Sequence, residues 1–322
     1  MPDLDWPNSM NKTNQEEILA GLLQPNKHIS SKYFYDDAGS RIFQEIMQMP
    51  EYYLTNSEHE IFCEQSNQII NKLKLKGSLN VVEFGAGDGA KTLELLKAML
   101  GQKLDVTYVP IDISNEAITI LQNRLRKQLP ELKVMPKVGD YFSLLKSHLW
   151  DTDAQNLYLF LGSNIGNYSD QSAAQLLQLF NKSMRLGDGL LVGVDLQKSP
   201  TVIYDAYFDP HGITKRFNLN LLHRLNRELN ANFNTDLFDF ECVYDPDKGE
   251  VKSYLVSLED QTITLLGNNI RFFKNERIWT ELSKKYTLNQ LEELARQNGF
   301  SVKNHFLDRK KYFTNSLWIK ER

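Results

Sequence analysis

Between Leu79 and Asp195 the chain repeats one pattern: a short apolar run, a polar turn, then an amphipathic stretch. The apolar runs are LNVVEFGAG, DVTYVPID, LKVMPKVGD, NLYLFLG and GLLVGVD. Helical spacing governs AKTLELLKAML, SNEAITILQNRLRKQL (with Ser114 as its cap) and DQSAAQLLQLFNKSMRLG. Short strands apolar on both faces, with helices in the connections, build a parallel sheet covered on both sides. This constrains the chain to an α/β fold. Ahead of the first strand, Thr55 and Glu58 have the spacing of a capping box, and Ile61, Phe62, Ile69, Ile70 and Leu73 continue as a helix.

After Asp195 the rhythm changes. RFNLNLLHRLNREL is one amphipathic helix. LFDFECVY, VKSYLVSL, QTITLLG and IRFFK alternate in period two, with DPDKGE as a turn, which predicts one antiparallel sheet of these four segments. Thr287 and Gln290 form a second capping box before LNQLEELARQNG, and FSVKNHFL with KYFTNSLWIK reads as a closing hairpin. The last 35 or so residues are expected to rejoin the first sheet, which makes the second unit an insertion. The expected division is 55–196 plus 286–322 for the sheet domain, and 9–54 plus 197–285 for the other.

The 322 residues are ample for two domains. A net charge of −4 without a cluster of Lys and Arg argues against a nucleic-acid partner. Two distant cysteines, Cys63 and Cys242, exclude a disulfide framework and fit a reducing compartment. No apolar run reaches the roughly 18 residues of a membrane span, and the polar N-terminus does not resemble a signal peptide. A cytoplasmic protein, with a monomer favoured, is the resulting expectation. The six histidines have no metal-ligand spacing, so no metal is expected.

The strand ends carry the chemistry. VVEFGAGDGAKT runs a strand into Gly85, Gly87 and Gly89 and then a helix. Glycines let the backbone approach a ligand closely, and the helix start offers free N–H groups. This loop fits both a dinucleotide and the E-x-G-x-G loop that cradles S-adenosylmethionine. Asp112, ending the second strand, can accept both hydroxyls of a ribose. Asp140 followed by Tyr141 suits an adenine. The three strand ends together favour S-adenosylmethionine over NAD. LFLGSNIGN ends the fourth strand, where Asn167 can both donate to and accept from an acceptor substrate. A plain structural role competes at each position: a ligand-free turn, a loop-capping Asp, a turn Asn.

With those residues assembled, the chain resembles the amino-acid Nα-methyltransferases typified by the ergothioneine-pathway L-histidine enzyme. The resemblance runs through SKYFYDDAGSRIFQEIMQMPEYYLTNSEHEI, VEFGAGDGAKT, YVPIDIS, LFLGSNIGN, DAYFDPHGITKRFNLNLLHRLNRELNANF and ERIWTELSKKY, in that order. It implies a Rossmann-like class I methyltransferase domain with an inserted α+β substrate-binding domain. It further implies S-adenosylmethionine held by Gly85, Gly87, Lys91, Asp112, Asp140 and Tyr141. Tyr52, Gly162, Asn167 and Tyr207 would hold the amino acid's backbone groups. Tyr35, Glu281 and Ser283 would face an imidazole, with Asn167 and Tyr35 as the catalytic pair. The implied reaction is trimethylation of L-histidine to its betaine, hercynine. Where better-known members carry Met, this sequence has Ser253, within EVKSYLVS. A smaller polar residue there raises the alternative of another amino acid or amine as substrate. An NAD-dependent oxidoreductase, resting on the glycine loop alone, is the competitor from another class.

Overall fold

In the computed structural model the described residues are 10–73, 75, 77–139, 144–145 and 153–321. The strands in chain order are β1 Leu79–Phe84, β2 Val106–Asp112, β3 Lys133–Val134, β4 Lys137–Val138, β5 Gln155–Phe160 and β6 Gly189–Asp195. They continue as β7 Phe238–Asp245, β8 Glu250–Ser257, β9 Gln261–Leu265, β10 Asn268–Phe272, β11 Arg277–Lys284, β12 Phe300–Leu307 and β13 Phe313–Lys320. The chain divides into two compact units, 54–197 with 285–322 and 1–53 with 198–284.

The first unit is built on β1, buried at all six positions, as a strand with both faces covered must be. The sheet order is β12-β13-β6-β5-β1-β2-β3, with β4 beside the end of β2. Strands β1, β2, β5 and β6 are mutually parallel, and the β12–β13 hairpin joins β6 antiparallel. On one face Phe84, Val109, Phe160 and Val192 pack against Leu177 and Phe180 of the helix Asp170–Ser183 and Leu291 of the helix Leu288–Gln297. The fold is Rossmann-like. From β1 the chain winds outward first through β2 to β4 and then, on the other side, through β5 and β6. The order therefore reverses between β1 and β5, where ligands of doubly wound sheets collect beyond the strand ends.

The third apolar run is not one strand. Pro136 has no N–H to donate, so the run makes two separate two-residue ladders against β2. The capping box expected at Thr55 does not form either. The helix Tyr53–Lys72 begins two residues earlier and turns Glu58 inward with Leu54, Ile61 and Phe62. The box at Thr287 and Gln290 is present, with both reciprocal hydrogen bonds.

The second unit has its own core, in which Phe217, Leu221, Leu222 and Leu225 of the helix Ile213–Leu229 meet Phe34, Phe238, Leu255 and Ile278. The four expected strands do not form one sheet. Strands β9 and β10 are a separate hairpin, turned at Leu266 and Gly267, both at positive φ. The three-stranded sheet is β11-β8-β7. Its third member, RIWTELSK, has a register irregularity between Trp279 and Glu281 that shifts the alternation by one residue and hides the period-two signal.

Candidate active site

Two loops of the first unit leave β1 and β5, the strands that flank the reversal point, and a third leaves β2 beside them. The loop after β1 turns on Gly85, Gly87 and Gly89, all at positive φ. Gly87 N–H donates to Asp112 Oδ2 at 2.9 Å, and Ser114 N–H to Oδ1 at 2.9 Å. Asp112 thus ties the glycine loop to the end of β2, and burial raises its pKa against those hydrogen bonds. A Cβ on Gly87 would meet nothing within 4 Å, so open space faces the loop there.

Lys91 precedes the helix Thr92–Gly101. Its side chain is 27% exposed and its ammonium donates to Glu58 Oε2 at 2.6 Å. Burial alone would lower the pKa of Lys91, but Glu58, Glu83 and Asp88 together hold it above its ordinary value. Beneath the loop, Glu83 of β1 accepts from Thr92 Oγ1 at 2.7 Å and from the Tyr108 hydroxyl. Burial pushes the Glu83 carboxyl up to about 7.

The loop after β5 opens at Gly162, φ +71°, whose N–H donates to both oxygens of Glu58 at 3.0 and 3.1 Å. Ser163 follows in the left-handed region at φ +58°, a conformation that costs a non-glycine residue about 1 kcal/mol or more. Its Oγ accepts from Asp195 N–H at 3.1 Å. Asp195 in turn pairs with Lys285 at 2.9 Å, both fully buried. Asn167 closes a short 3-10 turn, Asn164–Asn167, and is half-buried. Asp140 and Tyr141 lie outside the described residues.

In the second unit the remaining expected site residues share one sheet face and its aromatic cover. Strand pairing aligns Cys242, Ser253 and Glu281 across β7, β8 and β11, and Tyr244, Val251 and Ser283 beside them. The Tyr207 hydroxyl and Ser283 Oγ are 2.8 Å apart. Tyr52 meets Tyr207 edge to face at 6.3 Å. Tyr35 and Tyr52 each meet Phe43 edge to face, at 5.5 and 6.3 Å between ring centroids. Ser253 is 1% exposed and its Oγ has no hydrogen-bond partner among the described residues.

Residues 14–320 match the family model described as histidine-specific methyltransferase, SAM-dependent. The chain belongs to this methyltransferase family. The histidine N-alpha-methyltransferase of Mycolicibacterium smegmatis (strain ATCC 700084 / mc(2)155) is 32% identical over 286 residues, 87% of each chain. That of Mycobacterium tuberculosis (strain CDC 1551 / Oshkosh) is 30% identical over 276 residues, 84% of each. Ergothioneine biosynthesis protein 1 of Schizosaccharomyces pombe (strain 972 / ATCC 24843) is 28% identical over 281 residues, 85% of this chain and 36% of that protein.

The methyltransferase uses S-adenosylmethionine, and the loops around β1 fit that ligand. The open side of Gly87 leaves room for a close backbone approach, the partly exposed Lys91 side chain carries an ammonium of the kind that pairs with a carboxylate, and Asp112 ends β2 with a carboxylate of the kind that accepts from ribose hydroxyls. The family match sets aside an oxidoreductase reading of the glycine loop.

Sequence reasoning missed Glu58, Glu83 and the Asp195–Lys285 pair. Periodicity held a signal for the first two. Glu58 falls on the helix face of Leu54, Ile61 and Phe62, and Glu83 interrupts a strand apolar on both sides. Nothing local signalled Lys285, since its partner is 90 residues away.

Proposed function

We propose that this methyltransferase transfers methyl groups to the α-amino nitrogen of L-histidine, three in succession, giving the betaine hercynine. The observation that carries the acceptor assignment is the Tyr207–Ser283 hydrogen bond beside the row of Ser253 and Glu281, all on one sheet face. Such a face joins neutral hydroxyls, aromatic rings and one carboxylate, a set suited to an amino acid with a ring N–H.

S-adenosylmethionine supplies an electrophilic methyl on a sulfonium, which the amine displaces directly. Gly85, Gly87, Lys91, Asp112, Asp140 and Tyr141 would hold it. The chain's contribution to the rate is orientation and exclusion of water. Asn167, Tyr52 and Tyr207, with the Gly162 backbone, would fix the amine and carboxylate of the amino acid. The amine attacks only as the free base, because an ammonium has no lone pair. Each methyl removes a donor, so rings that tolerate a growing cation suit the later steps: Tyr35, Tyr52 and Tyr207 provide them. Glu281 and Ser283 would accept from and donate to the imidazole.

Ser253 favours a second reading, in which another amino acid or amine is the acceptor. Its buried hydroxyl has no hydrogen-bond partner among the described residues and lies on the same cross-strand row as Glu281, where a different substrate side chain could meet it. A mass-spectrometric survey of methyl transfer to the amino acids tests both. Histidine should gain up to three methyls; an inert histidine beside another converted amino acid overturns the first reading in favour of the second.

A further inference from the structure

Glu58 is fully buried, yet it is neither part of the fold's apolar core nor the helix cap its spacing suggested. Its carboxylate accepts from Lys91 Nζ at 2.6 Å and from Gly162 N–H at 3.0 and 3.1 Å. Two glycines make that arrangement possible. A Cβ on Gly193 of β6 would fall on the Glu58 carboxylate. A Cβ on Gly162 would lie 3.2 Å from Lys91 Nζ, at a φ of +71° that L side chains rarely adopt. Removing a carboxylate from water costs several kcal/mol, and an apolar side chain of similar size would fill the space without that penalty. As packing, the pair is a poor choice.

We propose that Glu58 is a positioning residue: its carboxylate grips Lys91 and the Gly162 N–H together, and so holds the lysine of the β1 loop and the start of the β5 loop in one fixed arrangement. Lys91 ends the segment that carries the glycines; Gly162 begins the segment that carries Asn167. One anion therefore spans the two sides of the sheet's reversal point. Its second effect is on charge. Lys91 faces Glu58 from the helix Tyr53–Lys72, Glu83 from β1 and Asp88 from its own loop, and Glu58 is its direct partner. Without Glu58 the ammonium keeps its desolvation and loses its nearest compensation, so it gives up its proton more easily.

This inference rests on the assignment of Lys91 to S-adenosylmethionine, and the two are separable. Affinity for S-adenosylhomocysteine is measured by calorimetry from pH 6.5 to 10 for the wild type, Glu58→Gln, Glu58→Asp and Lys91→Met. An unchanged affinity in Lys91→Met would refute the Lys91 assignment alone. For Glu58→Gln, the ratio of variant to wild-type Kd is expected to grow about fivefold or more across that range, as a depressed Lys91 loses its proton. Glu58→Asp, which keeps the charge, should return the ratio to near constancy. A constant ratio in Glu58→Gln would overturn the inference, because loss of packing alone carries no pH dependence. If Glu58→Gln does not fold, NMR titration of the Lys91 ammonium in the wild type decides: a midpoint at or above that of ordinary lysine supports the inference, and one below it overturns it.

Discussion

The loops of the sheet unit and the site face of the inserted unit solve different problems. Around β1, β5 and β6 buried carboxyl groups are each partnered: Glu58 with Lys91, Asp195 with Lys285, and Glu83 with two hydroxyls. The face of β7, β8 and β11 instead carries mostly neutral groups: the Tyr207 and Ser283 hydroxyls and the rings of Tyr35 and Tyr52, with Glu281 as its carboxylate. The contrast fits what each would hold under the proposed function. A sulfonium ligand with its own ammonium and carboxylate needs fixed charges that do not reorganise. Under the proposed reaction the acceptor amine grows bulkier with each methyl and is permanently cationic after the third, so it is better served by walls without strong directional demands.

Lys285 carries the largest expected effect on stability. Replacing it with Met leaves Asp195 buried and uncompensated, and should cost about 3–5 kcal/mol in urea denaturation. A loss under 1 kcal/mol would mean that the pair does not stabilise the sheet unit. Glu83 gives a pH test. Its carboxyl rises from an ordinary 4.5 to about 7 in the folded protein, so between those values the folded state binds more protons than the unfolded one. Stability should therefore fall as pH rises through this window, by roughly 3 kcal/mol from this group alone. Glu83→Gln removes that slope, and becomes more stable relative to wild type at pH 8 than at pH 5; parallel curves would contradict the assignment.

Asn167→Ala sharpens the division of labour. It should lower kcat/KM for the acceptor by about 10- to 100-fold, the range of a lost hydrogen bond to a charged group, while S-adenosylhomocysteine binds as before. Equal losses for both ligands would mean that Asn167 supports the fold of the loop instead. Tyr207→Phe is the mildest change. Losing the hydroxyl paired with Ser283 should raise the acceptor KM about fivefold with little effect on the cofactor side, measured by initial rates.

Much of this was legible in order of residues. Period and turn chemistry located β1, β2, β5 and β6, the closing hairpin and the Thr287 cap, because those signals are local. Local signals also misled. Thr55 and Glu58 have a cap's spacing, but burial of Leu54, Ile61 and Phe62 drew the helix start back to Tyr53 and Glu58 inside. Pro136 split the third run, and the irregularity at Trp279 concealed β11.

The sequence by itself determined the parallel sheet, its glycine loop and the family to which the chain belongs, since each is written in contiguous residues. Only the tertiary structure decided which charges are buried and with what. Glu58 finds Lys91 33 residues on and Gly162 104 residues on, and Asp195 finds Lys285 across the whole insertion. A carboxylate's environment is set by what folding brings against it, and no pattern along the chain encodes that.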